Sequence, residues 1–364
     1  MKNARKSYFA VVTAAVAVAA SAVVTLSGAQ PASAAKVSAN CTNTTSDAAT
    51  IQSAINGSAS GDEIVIDGPC LITQTITLLG NRGYRGDSAG TTLTESSGKN
   101  LAAVLASDSW VNNSATTGDP ITLSSLTIDA NKSGNPTGGD AVIIRSWNTV
   151  VSDLRIRNAQ GNGLRVTNTS KNGTTLTNTQ VNGTIRASFV TGSGGNGIYV
   201  QDSGNSVTDW NLTDNWIASS GGNGIRTENA AGWTIERNHV YGVGGTGIDA
   251  DRLFATSIGD NYIEDFNTNG IGVTVQGDAA STISGNRIFH FSGSGTTYLA
   301  VRQVNYGAGQ IAVVGNTIRG AGTGVGLSYQ QGGNSLTVTS TGNLVTGVTT
   351  ARSVGSGVTV TSGV

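Results

Sequence analysis

Gly224-Ile225-Arg226-Thr227-Glu228-Asn229, Trp233-Thr234-Ile235-Glu236-Arg237-Asn238-His239-Val240 and Gly247-Ile248-Asp249-Ala250-Asp251 make up one period of a repeat and the start of the next. Working outward, the motif apolar, two residues, Asn, one residue, Ile or Val recurs. It appears at Leu212-Asn215-Ile217, Ile235-Asn238-Val240, Ile258-Asn261-Ile263, Ile283-Asn286-Ile288 and Val313-Asn316-Ile318, with a weaker copy at Asn343-Val345. Consecutive Asn are 23, 23, 25, 30 and 27 residues apart. Upstream, Leu126-Thr127-Ile128, Leu154-Arg155-Ile156 and Thr179-Gln180-Val181 fall in phase without the Asn. A second series interleaves with the first: Gly163-Leu164, Gly197-Ile198, Gly224-Ile225, Gly247-Ile248 and Gly270-Ile271 each open a short strand.

Fixed periods of this length signal stacked repeats. Helical solenoids need apolar stripes of period 3.6, which are missing, and propeller blades run to about 40 residues. Three short strands per period fit a parallel β-helix, with Val, Ile, Leu and Ala stacked inward. Asn suits left-handed turns, and its amide can bond to the Asn one coil away, so the series predicts a ladder. Trp210 and Trp233, also 23 apart, read as stacked structural neighbours.

Composition agrees. The chain has 364 residues, 51 of them Gly and only 4 Pro, with 12% charged residues, which fits neither a disordered polyelectrolyte nor collagen. A formal charge of −1 lacks the basic excess of a nucleic-acid binder. Lys2, Arg5 and Lys6, the apolar run from Tyr8 to Leu26, and Pro31-Ala32-Ser33-Ala34 read as a secretory signal cleaved after residue 34; the rival reading is an uncleaved membrane anchor. Cleavage removes three basic residues and leaves a single mature domain, residues 35–364, with a net charge of −4, secreted and off the membrane. In an exported chain, Cys41 and Cys70 are most simply one disulfide, the alternative being two buried thiols.

Residues 46–56 form the one helix expected, with Ser46 as N-cap, Asp47 in the first turn and Ala48, Ile51 and Ile55 on one face. It would cover the open edge of the first coil, followed by strands at 63–67 and 70–79. A Thr/Val-rich strand is expected at 357–362.

The order Ile51-Gln52-Ser53-Ala54-Ile55, Gly61-Asp62-Glu63-Ile64-Val65-Ile66, then Gly-rich coils resembles the pectate-lyase-like superfamily of secreted, single-stranded right-handed β-helices. The resemblance spans essentially the whole mature chain. It implies an all-β right-handed parallel β-helix of about ten coils with a short N-terminal capping helix. Members include lyases, hydrolases, epimerases, fructotransferases and adhesins.

Alternate strand residues face opposite sides, so if the Ile after each Gly points inward, the first and third residues after it face solvent. That outward row reads Arg165 and Thr167, Tyr199 and Gln201, Arg226 and Glu228, Asp249 and Asp251, then Gly272 and Thr274, with Arg252 at the strand end. Coils lie about 4.8 Å apart and residues i and i+2 about 6.6 Å apart. Arg226 should sit over Asp249 and Glu228 over Asp251, with the Glu228–Asp249 diagonal about 8 Å.

Three crowded carboxylates should raise one pKa, and a protonated carboxyl beside an ionised one is the equipment of glycosidic cleavage. Glu228 and Asp251 are the expected acid/base and nucleophile, Asp249 a polarising third, and Arg226, Arg252, Tyr199, Gln201 and Arg165 the substrate contacts. Ile225–Asn229 and Ile248–Asp251 are similar in spacing to acidic coils of inulin fructotransferases, whereas the motif set of polygalacturonases is absent in order. The leading expectation is therefore a glycoside hydrolase or fructotransferase-like enzyme with a polysaccharide or oligosaccharide partner and no cofactor, monomeric or homotrimeric. One alternative is a lyase in which Glu228, Asp249 and Asp251 hold Ca²⁺ while Arg226 or Arg252 removes a proton. Another is a non-catalytic glycan-binding β-helix. Trp216, His239 and Tyr262 share a phase and line a second outward face, by packing, subunit contact or sugar stacking; His290 reads as structural. The Gly-x-Gly matches read as turn glycines.

Overall fold

The computed structural model describes residues 34–363 apart from 89, 278–279, 292–295 and 305–306, so the expected leader, Ala34 excepted, lies outside the described residues. Three parallel sheets run the length of the domain. A flank sheet of thirteen strands extends from Lys36–Asn40 to Val358–Thr361. A back sheet of eleven goes from Pro69–Ile72 to Leu344–Thr346, and a front sheet of eleven from Ile76–Leu78 to Thr350–Val354. The chain visits front, flank and back in turn, which makes a solenoid of about eleven coils, one more than expected.

The inward residues stack as the repeat requires. Ile198, Ile225, Ile248 and Ile271 are register partners in the front sheet, and Ile217, Val240, Ile263 and Ile288 in the back sheet, all within one core. The Gly before each of Leu164, Ile198, Ile225, Ile248 and Ile271 is required by close approach. A Cβ on Gly224 would stand 2.6 Å from the Gly247 carbonyl oxygen one coil on, closer than real Cβ atoms come.

The Asn ladder forms. Nδ2 of Asn215, Asn238, Asn261, Asn286 and Asn316 donates in turn to Oδ1 of the next Asn, the last being Asn343, at 2.9–3.0 Å. One coil earlier the rung is Ser188, whose N–H donates to Asn215 Oδ1. Thr179-Gln180-Val181 is not in phase after all. Gln180–Val181 pairs with Val207–Thr208 in a separate two-stranded ladder, and the back-sheet strand of that coil is Phe189–Thr191. The residues that displace the phase belong to an excursion around 168–177, anchored by buried Arg145. Its guanidinium donates to the carbonyls of Ser109, Ser114, Thr116, Asn168 and Thr174.

Trp210 and Trp233 are buried and stacked, their centroids 6.1 Å apart. Cys41 and Cys70 form a disulfide. The helix spans Asp47–Gly57, but Ser46 is helical in backbone and its side chain caps nothing. The Asp47 carboxylate instead accepts the N–H groups of Thr42, Thr44 and Leu71. Gln52 pairs both ways with the backbone of Thr77, so the helix supplies partners to the edges of two sheets. The stretch expected as one strand at 70–79 is two, Pro69–Ile72 and Ile76–Leu78, in different sheets. The late strand is Val358–Thr361.

Candidate active site

The front sheet presents the outward row. Leu164, Val166, Ile198, Val200, Ile225, Thr227, Ile248 and Ala250 point into the core, and the residues between them are half-buried at the surface. Arg226 is the register partner of Asp249, as expected. Its guanidinium donates from Nη1 to Asp249 Oδ2 and from Nη2 to Asp251 Oδ2, the latter at 2.9 Å, so both aspartates converge on one cation. Asp251 also accepts from Thr274 Oγ1 at 3.1 Å.

Glu228 is held from the other side. Tyr199 Oη donates to its Oε1, and the Asp202 N–H donates to Oε2 at 3.0 Å. The strand pairing itself ends at Thr227, and the next contact is shifted by one residue, with Ala230 N–H donating to the Asp251 carbonyl at 2.8 Å, so Glu228 is not the register partner of Asp251 that was expected. The three carboxylates therefore belong to neighbouring stretches of two adjacent coils on one face.

Burial raises the Asp249 carboxyl above the ordinary aspartate range. Arg226 and Asn223 oppose that rise, and the Asp251 charge adds to it. Burial works against the Arg226 charge, but the two aspartates outweigh it and keep the guanidinium protonated. Tyr199 is driven well above the ordinary phenol value, first by burial and then by its bond to Glu228, so it stays a donor.

Other expected contacts are placed differently. Arg165 is committed to Asp140 at 2.6 Å and to Gln201 Oε1 at 3.0 Å, two coils from Glu228 and three from Asp249 and Asp251. Thr167, expected to face solvent, is fully buried and also donates to Gln201 Oε1. Arg252 falls in a bulge, where the register shifts between Ala250 and Leu253, with a left-handed backbone (φ 58°). Its N–H donates to Thr274 Oγ1 at 2.7 Å. That bulge turns Arg252 and half-exposed Phe254 toward a cleft of about 790 Å³ at the front–flank corner, which Asn205, Asp209 and Gln276 also line.

The sequence reading missed a second amide ladder. Asn162 donates to Asp140 Oδ1, Asn196 to Asn162 Oδ1 and the Asn223 N–H to Asn196 Oδ1, each at 2.9 Å. Its last rung delivers Asn223 Nδ2 to Asp249 Oδ2 at 3.0 Å. The signal was Gly161-Asn162-Gly163, Gly195-Asn196-Gly197 and Gly222-Asn223-Gly224, in which the glycines hid the amide between them. On the back sheet, Phe189, Trp216, His239 and Tyr262 form an outward column of successive register partners. His290 is buried against Phe266 and Tyr298, as a structural residue would be.

A parallel solenoid bearing a charged row on one sheet is thus the class of protein these residues build. The chain belongs to the family described as the right-handed β-helix region, which it matches over residues 111–300 and 196–364. No curated protein sequence matches it. Solved structures that share the fold include the following three. One is the A-module of mannuronan C-5 epimerase AlgE4 from Azotobacter vinelandii, with 16% identity, TM-score 0.62, and 88% of this chain and 96% of that chain covered. The surface protein and adhesin PfbA of Streptococcus pneumoniae has 13% identity, TM-score 0.58, and coverage of 86% and 93%. DFA-IIIase from Arthrobacter chlorophenolicus A6 without its lid has 13% identity, TM-score 0.56, and coverage of 88% and 89%. Among the described residues no helix is long and apolar enough to cross a membrane.

Proposed function

We propose that the chain is an exported carbohydrate-active enzyme, with a leader at 1–34 and one mature domain at 35–364, that cleaves or transfers glycosidic bonds of a polysaccharide. The helix Asp47–Gly57 serves as its N-terminal cap. One observation carries the reading: Asp249 and Asp251 share the Arg226 guanidinium on the same face where Tyr199 orients Glu228.

The raised pKa of Asp249 favours it as the proton donor to the leaving oxygen, in place of Asp251. Asp251 then holds Arg226 in place, and its charge adds to the rise of the Asp249 carboxyl. Glu228, oriented by two donors, acts on the anomeric carbon or its attacking water. Arg252 and Phe254 extend the surface into the neighbouring cleft, where further sugar units would lie.

The Ca²⁺-dependent lyase is less well supported, because the space between Asp249 and Asp251 that a cation would take holds the Arg226 guanidinium. No group of three or more His, Cys, Asp or Glu among the described residues is placed to hold a metal. The test is incubation with fructans, arabinans, pectins, alginate and glycosaminoglycans, with product masses read with and without chelator. Hydrolytic or transfer products formed equally in chelator are expected. Products that vanish with chelator and carry an unsaturated uronate would establish the lyase, and no product from any polymer would leave the glycan-binding alternative.

A further inference from the structure

At the corner joining the flank and back sheets, away from the front-sheet row, a cleft of about 650 Å³ is lined by Phe189 and Trp216. Their rings are register partners on adjacent coils, with centroids 5.9 Å apart, and they are 40% and 45% exposed. Two large aromatic rings left side by side in water forgo the burial that the stacked Trp210 and Trp233 have in the core. The position is also stiff. Trp216 packs on His239 at 4.3 Å, which packs on Tyr262 at 4.4 Å, so the platform is held from one side.

Polar groups converge on the same cleft. Arg85 and Asp214 line it but are engaged, Arg85 with Glu63 at 3.1 Å and Asp214 with Arg237 through two bonds of 2.8 and 2.9 Å. Asp87, Asp153 and Arg155 also line it, are exposed, and have no ion-pair partner among the described residues. A concave site of a few hundred cubic ångströms with an aromatic floor and a few fixed hydrogen-bonding groups is built for a small polar ligand that has an apolar face. The free charges are two acids and one base. That balance disfavours a polyanion, and carboxylate and guanidinium together suit vicinal hydroxyls, which both donate and accept.

We propose that this cleft is a second, non-catalytic carbohydrate site, which binds an uncharged sugar unit of a polysaccharide against Phe189 and Trp216. It is separate from the carboxylate row and requires no turnover there.

The full mature chain is run in native gels containing inulin, arabinan, soluble starch, xylan or polygalacturonate, and its sedimentation is measured in parallel. At least one neutral polymer should retard the wild type. Trp216→Ala should weaken that retardation at least fivefold and Arg155→Ala about threefold, while Glu228→Gln stays within twofold. Both rings are partly exposed, so the variants should melt with the wild type. If Trp216→Ala does not fold, Phe189→Ser combined with Arg155→Ala carries the same expectation. Three results would overturn the proposal: no retardation by any neutral polymer, equal retardation of Trp216→Ala and wild type, or retardation lost only in Glu228→Gln. So would an oligomer that dissociates in Trp216→Ala, which would assign this face to a second copy of the chain.

Discussion

Replacing Asn238 by Ala removes the middle of the buried ladder. Its Nδ2 donates to Asn261 Oδ1 at 3.0 Å and to the Leu212 carbonyl at 2.9 Å. Its Oδ1 accepts from the Asn215 N–H at 3.2 Å and from Asn215 Nδ2 at 3.0 Å. A net hydrogen bond is worth about 1 kcal/mol, and a donor left buried without a partner costs about 1–3 kcal/mol. With four bonds lost and the Asn215 N–H stranded, Asn238→Ala should cost roughly 3–5 kcal/mol. Asn343 ends the same ladder but is only half-buried, so water can replace its bonds. Asn343→Ala should cost about 1 kcal/mol. Urea unfolding with linear extrapolation reads both. Equal costs, or a loss below about 1 kcal/mol for Asn238→Ala, would refute the view that the ladder satisfies buried turn groups.

Two further outcomes are expected. Replacing Cys41 and Cys70 together by Ala opens a loop of 29 residues and should destabilise the domain by about 3 kcal/mol, read by urea unfolding against the oxidised wild type. Asp249 is raised in the folded chain, so the native state binds more protons than the unfolded state between the ordinary aspartate value and the raised one. Stability from this group falls as pH climbs through that window; Asp249→Asn should therefore melt at or above the wild type at neutral pH, an advantage that shrinks on acidification.

The fold was legible because its strongest signals repeat. Asn215, Asn238 and Asn261 recur at one spacing, and each repetition reduces the number of alternative readings. Single events were not legible. Arg145 gathers five carbonyls from two distant segments, and no local pattern announces a cation whose partners are all backbone. The excursion it anchors displaced the phase at Gln180. At the helix start, Ser46 fits the usual N-cap preference, yet Asp47 reaches Leu71, which is 24 residues away, and a tertiary partner outweighed the local rule.

The acidic row was legible in part: period-two alternation placed Arg226 over Asp249, but it also predicted an outward Thr167, which is buried, and it could not foresee the bulge at Arg252. The direction each carboxylate takes on that face was not legible. Arg226 turning to Asp249 and Asp251, and Glu228 turning back to Tyr199, are rotamer choices that depend on three coils at once. The amide of Asn223 behind Asp249 lay within a Gly-Asn-Gly turn whose glycines drew the reading toward backbone shape.

Turnover by Glu228→Gln and Asp249→Asn, each confirmed as folded by its melting temperature, bears most directly on the claim that adjacent coils assemble one catalytic site. Both should lose about 10²–10⁴-fold in kcat on whichever polymer the wild type cleaves. Near wild-type rates in both folded variants would contradict it.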